Sequence, residues 1–220
     1  MGRPGVPNRT PSLAWLPVAT KKPRTPFTGN AEADALLEQN PFALMVGMLL
    51  DQQVPMEWAF GAPKLLAERL PGRLDPPSIA KMDPDALEVI FRDKPALHRY
   101  PGSMAKRTHT LAVYLVDNYG GRAEAVWEDA ADGAELLERV NALPGYGTDK
   151  ARIFVGLLGK RLGVRPPGWE KAAADWASIA DVDSYERIGE IREQKKAAKA
   201  AKKGATTATT ETTRRAKAKP

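Results

Sequence analysis

Apolar positions recur along this chain at the three-and-four spacing of helices, and no stretch alternates as a strand would. Residues 1–29 are rich in proline, glycine and basic side chains; they predict an extended arm, partly docked at Trp15. From Asn30 the pattern turns helical. Asn40-Pro41 offers a cap and a first-turn proline to the run Phe42–Leu50, which is apolar on every side and must be surrounded by protein. Helices are predicted over Glu57–Leu70, Pro84–Phe91, Ser103–Tyr119, Gly133–Ala142 and Thr148–Leu162, with residues 71–77 as a connector. In the Ser103–Tyr119 helix, Met104, Leu111, Ala112, Leu115 and Tyr119 share one face, and Gly120-Gly121 ends it. Gly156 and Gly159 permit close approach of another element to the Thr148–Leu162 helix. A short helix over Trp169–Trp176 and a last one from Ser184 complete an all-α body over residues 30–186. The last helix loses its apolar face after Ile191, and residues 195–220 form a low-complexity basic tail.

Composition changes this picture mainly by exclusion. The 220 residues contain no cysteine and only two histidines, His98 and His109, so disulfides, thiolate zinc sites, Cys-ligated iron–sulfur clusters and His-rich metal sites are excluded. No apolar run approaches the roughly 20 residues of a membrane helix, and the N-terminal stretch lacks an apolar signal core, so a cytoplasmic protein without a membrane partner is expected. The net charge of +6 is unevenly placed. Residues 1–26 hold five basic and no acidic residues, and residues 187–220 carry a net +8. The middle is acidic, at −7. Any polyanion site on the body must therefore be a local patch or use backbone dipoles.

One segment meets that condition. Leu143-Pro144-Gly145-Tyr146-Gly147 lies between two amphipathic helices as a tight hairpin, with Thr148 able to cap the second. Such a turn leaves N–H groups pointing outward at a helix N-terminus, which binds anions without net positive charge; Lys150 and Arg152 would reinforce it. The alternative reading is a plain turn between two helices. A second candidate is Asp51-Gln52-Gln53, polar side chains at the end of the all-apolar helix, where long neutral amides suit a gap in a base stack or a base edge. The alternative there is a helix end bonding its own loop.

Together, Leu49-Leu50-Asp51-Gln52-Gln53-Val54, Lys106-Arg107 and Leu143–Ala151 resemble the helix–hairpin–helix (HhH-GPD) superfamily of base-excision DNA glycosylases over about residues 30–177, in a poorly characterised bacterial branch. The hairpin motif spans 133–162. The resemblance implies a bilobal helical fold with a DNA-binding cleft between the lobes. Leu143, Pro144, Gly145, Tyr146, Gly147, Thr148 and Lys150 would contact the backbone of double-stranded DNA, and Gln52 or Gln53 would enter the space left by a flipped, damaged or mismatched base. A monovalent cation on hairpin carbonyls is implied; no cofactor is required, and no iron–sulfur cluster can form. A monomer associated with the nucleoid is expected.

The match departs from the family at two positions. The nucleophilic lysine of bifunctional members falls on Asp149, and Lys150, rotated by about 100°, is expected to point away from the pocket toward a phosphate or solvent. The family's catalytic aspartate falls on residues 167–169, leaving Glu170 and Asp149 as the candidate carboxylates of a monofunctional enzyme that uses water. Each has a plainer reading, as an acidic residue favoured in the first turn of a helix. Of the aromatic residues Trp58, Tyr100, Tyr146, Trp169 and Trp176, Tyr146 is the one expected at an exposed tip, where it could stack on an extruded base. Two further readings stand beside the enzyme: a catalytically silent DNA-structure binder of the same fold, and an all-α protein-interaction module.

Overall fold

The computed structural model describes residues 24–194 together with 196 and 197; Trp15 and the rest of the arm before residue 24, and the tail from 198 onward, lie outside the described residues. Among the described residues the chain is all-α, without a strand. No helix there is long and apolar enough to cross a membrane.

Helix α1 (Ala31–Gln39) is capped by Asn30, whose side chain accepts from Ala33 N–H. After one residue, Asn40 caps α2 (Pro41–Leu50) in the same way through Ala43 N–H. Every residue of α2 from Phe42 to Leu50 is buried, as its unbroken apolarity requires. Helix α3 (Met56–Arg69) packs on both, and the residues predicted as a connector end in a short helix, α4 (Pro76–Ala80). The Asp75 side chain caps α4 through Ser78 N–H, with Pro76 at the first helical position. Helices α5 (Pro84–Arg92) and α4 lie against the longest helix, α6 (Pro101–Tyr119), which ends on left-handed Gly120.

The second half begins with α7 (Ala125–Glu128), one turn that no periodicity announces, followed by α8 (Gly133–Asn141) and α9 (Thr148–Leu157). The helix predicted to reach Leu162 does so, but its last turn, Leu158–Leu162, widens to a π-helix. Helix α10 (Trp169–Ala172) is shorter than predicted and is followed by a 3₁₀ turn, Ile179–Asp181. The Trp169 ring lies flat against Gly159, where an added Cβ would stand 2.2 Å from it. Ala180 and Ala173 meet Gly156 at ordinary contact distance. Both glycines thus serve close approach, as their spacing suggested.

The body is larger at both ends than the sequence indicated. Phe27 is fully buried and meets Phe60 edge-on at 5.1 Å between ring centroids. It is held by Asp34, whose buried carboxylate accepts from Phe27 N–H, Thr28 N–H and the Thr28 hydroxyl. Residues 25–28 therefore belong to the core and not to the arm. At the other end α11 (residues 187–194) buries Ile188 and Ile191, and Arg192 pairs with Glu57 at 2.5 Å.

Candidate nucleic-acid interface

The hairpin closes through one backbone bond, Tyr146 N–H to Leu143 C=O at 3.0 Å. Its residues divide by burial. Leu143 and Tyr146 are turned inward and Pro144 is half-buried, while Gly145, Gly147, Thr148 and Asp149 are exposed. Gly145 has φ +85°, and a Cβ there would stand 2.4 Å from Leu49 Cδ1. Glycine is required on both counts: for the left-handed backbone and for the seating of the turn on the end of α2.

Gly147 caps α9 with extended backbone and without a side-chain hydrogen bond. Among the described residues no acceptor meets the N–H groups of Gly147, Thr148 or Asp149. Helix α6 also starts without a side-chain cap. Its first turns and the hairpin together line a cleft of about 470 Å³ formed by Ser103, Lys106, Arg107, Thr110, Pro144 and Gly145. Two exposed cations, Lys106 and Arg107, thus share a concavity with the hairpin turn on an otherwise acidic body. A larger groove, about 620 Å³, also holds two arginines, but each is paired with a carboxylate of the same groove: Arg73 with Asp75 at 3.5 Å and Arg122 with Glu124 at 3.1 Å.

Tyr146 is not the exposed stacking residue expected. It is 4% exposed, its hydroxyl donates to Met45 C=O at 2.8 Å, and its ring meets Phe154 edge-on. A ring at the tip of a turn can be drawn inward when its hydroxyl finds a carbonyl inside, and Gly145 leaves room for the hairpin to sit that deep. Tyr146→Phe is expected to cost about 1 kcal/mol of stability, measured by denaturant unfolding.

Lys150 also departs from expectation. Its side chain, half-buried, turns to the C-terminus of α2, donating to Met48 C=O and Leu49 C=O at 2.8 Å each. A buried helix end must satisfy its last carbonyls, and a cation there also meets the negative end of the dipole. Burial pulls the Lys150 pKa down to about 8, opposed by the Asp51 carboxylate and aided by the Arg107 guanidinium.

The two glutamines have different fates. Gln52 is tied down: its Nε2 donates to Leu49 C=O at 2.9 Å, its Oε1 accepts from Arg107 at 3.1 Å, and its backbone carbonyl faces His98 Nε2 at 3.0 Å. His98 Nδ1 accepts from Tyr100 N–H, which places the ring proton on Nε2 as donor to Gln52. Burial, with a further push from Lys150, lowers the His98 pKa and keeps the ring neutral. Gln53 is exposed and left-handed at φ +59°, with only a long 3.5 Å contact from the Tyr100 hydroxyl to its Oε1. Of the pair, Gln53 is the side chain presented outward.

The candidate carboxylates separate as well. Asp149 is exposed in the first turn of α9, beside the unpaired amides. Glu170 lies on α10, whose start abuts Gly133 at the N-terminus of α8 and Gly159 beyond the end of α9. That is the open end of the hairpin's helix pair, about 13 Å from the turn along a nine-residue helix. Glu170 and the hairpin are not brought together. Sequence reading missed Ser103 and Thr110 as cleft residues, and Arg107 as the partner of Gln52. It also missed a second carboxylate near α9: Asp175 stands 3.7 Å from Arg152, whose guanidinium lies over the half-exposed Trp176 ring. Arg152 is one turn on from Asp149, on the same face. Among the described residues no group of three or more His, Asp or Glu is placed to hold a metal ion. No protein-family model matches this sequence, and no curated protein or solved structure matches it.

Proposed function

We propose that this protein binds double-stranded DNA through the hairpin, in the manner of a base-excision DNA glycosylase, and presents Gln53 to the space left by a flipped nucleotide. One observation carries the reading: the N–H groups that start α9 meet no acceptor among the described residues, and the turn that leads into them, Pro144-Gly145, lines a cleft with Lys106 and Arg107. In this reading the helices around α6 and those around α9 act as the two lobes that flank the duplex. Backbone amides grip phosphates, which suits a body with a net negative charge. The hairpin carbonyls fit a monovalent cation: they are hard oxygen donors, and Leu143 C=O and Gly147 C=O each use one lone pair on an amide and keep another. Such an ion would add positive charge beside the phosphate.

Excision adds a demand on the carboxylates. Water must attack the anomeric carbon while the bond to the base breaks with its electron pair on the base, and a carboxylate must take the proton from that water. Asp149 is the carboxylate at the hairpin. Glu170 is remote from it, an observation that favours a second reading, a silent binder of distorted DNA. Purified protein should bind a duplex containing an abasic-site analogue at least tenfold more tightly than an undamaged one. A panel of duplexes bearing uracil, hypoxanthine, alkylated or oxidised bases and mismatches, followed by alkaline cleavage, then separates the two readings. Product that vanishes in Asp149→Asn and persists in Glu170→Gln is the enzyme result. Preferential binding with no product across the panel is the binder result, and no preference for the analogue removes both.

A further inference from the structure

We propose that Lys150 is the positioning residue of the Gln52–Gln53 loop: reaching from the first turn of α9 to the carbonyls of Met48 and Leu49, it ties the hairpin to the loop across the end of α2. The proposal deepens the nucleic-acid reading, on which its consequence for binding rests. The carbonyls that end α2 can all be followed. Gly47 C=O accepts Asp51 N–H, Leu50 C=O accepts Gln52 N–H, and Leu49 C=O is shared between Lys150 Nζ and Gln52 Nε2. Met48 C=O takes the remaining contact from Lys150. Met48 and Leu49 are themselves buried, so their carbonyls depend on the side chains that cover this end of α2. Gln52 is the hinge of the arrangement. It shares an acceptor with Lys150, and its other groups are held by Arg107 and His98.

The charge on the amine adds a proton dependence to this geometry. The groups that face it are Asp51 from the end of α2, Arg107 from α6, His98 from the loop between α5 and α6, and the Tyr146 ring of its own hairpin at 5.9 Å. Asp51 favours the ammonium, while Arg107 and burial oppose it, and the balance places its titration near pH 8. Losing the proton removes the cation from the negative end of α2 and weakens both contacts. A phosphate arriving at the hairpin favours the charged amine, so by linkage binding takes up a proton above pH 8.

The test uses the intact protein. The side-chain amide of Gln52 and the backbone amide of Gln53 are followed by ¹⁵N NMR from pH 6.5 to 9.5. A transition with a midpoint near 8 is expected in the wild type, and none in Lys150→Arg, which keeps its charge throughout, or in Lys150→Met. In a second arm, the Kd for a duplex with an abasic-site analogue should rise about tenfold between pH 7.5 and 9.5 in the wild type and less than twofold in Lys150→Arg. Gln52 and Gln53 signals that do not move with pH in the wild type overturn the proposal even if both variants fail to fold. The same midpoint in Lys150→Arg overturns it too. Absence of DNA binding at every pH removes the nucleic-acid reading, and the NMR arm still decides whether Lys150 positions the loop.

Discussion

Thr148→Pro is expected to weaken binding to an abasic-analogue duplex by ten- to a hundredfold while leaving the melting temperature within about 1 °C. The substitution removes one atom group of interest, the first N–H of α9. Proline is well tolerated there because its φ matches the helix and its missing N–H has no intrahelical partner. The residue before it, Gly147, already has φ −88° and ψ 171°, an extended conformation compatible with a following proline. The Thr148 side chain is exposed, so no packed contact is lost. An amide bonded to a phosphate oxygen contributes about 1.5–3 kcal/mol, which is the stated range of affinity. Thr148→Ala keeps the N–H and should bind as the wild type does. Equal affinities for Thr148→Pro and Thr148→Ala would show that the hairpin amides do not hold DNA.

The largest expected loss of stability follows Gly145→Ala. A side chain at φ +85° costs about 1–2 kcal/mol, and the new methyl would lie 2.4 Å from Leu49 Cδ1. Leu49 is fully buried and has little room to retreat, so overpacking adds about 1–2 kcal/mol. Together these amount to about 2–4 kcal/mol, or a fall of roughly 8 °C in Tm for a protein of this size. Differential scanning calorimetry measures it. A loss below about 1 kcal/mol would mean that the turn lifts away from α2 at little cost, and would undo the account of why the hairpin sits so deep.

Much of the fold was legible because local chemistry and burial agreed. Asn40-Pro41 announced a cap, and an uninterrupted apolar run announced a helix enclosed on all sides; α2 is both. Asp83 before Pro84 and Gly120 after Tyr119 bounded α5 and α6 for the same reason. Single turns escaped notice because α4 and α7 are too short to establish a period and rest on tertiary contacts. The burial of Phe27 was hidden by its setting among prolines and basic residues, since the carboxylate that holds it, Asp34, lies in the next helix.

The site was read unevenly. That a glycine-bent turn joins two helices followed from residue type, and so did the polar end of α2. The destination of a long side chain did not. Lys150 and Tyr146 both turn inward because carbonyls of α2, about a hundred residues earlier, offer acceptors there. The relation of Glu170 to the turn was likewise beyond spacing alone: a count of residues along the chain does not reveal that α10 returns to the open end of the helix pair.

The pair α8–α9 is anchored twice, at its closed end by Gly145 against Leu49 and at its open end by Trp169 across Gly159. A corner clamped at both extremities has little freedom left to surrender when a strand arrives, so recognition would proceed by docking onto a ready-made shape. Selectivity would then fall to the DNA, whose willingness to bend and expose a base at a weakened pair would decide where the encounter ends.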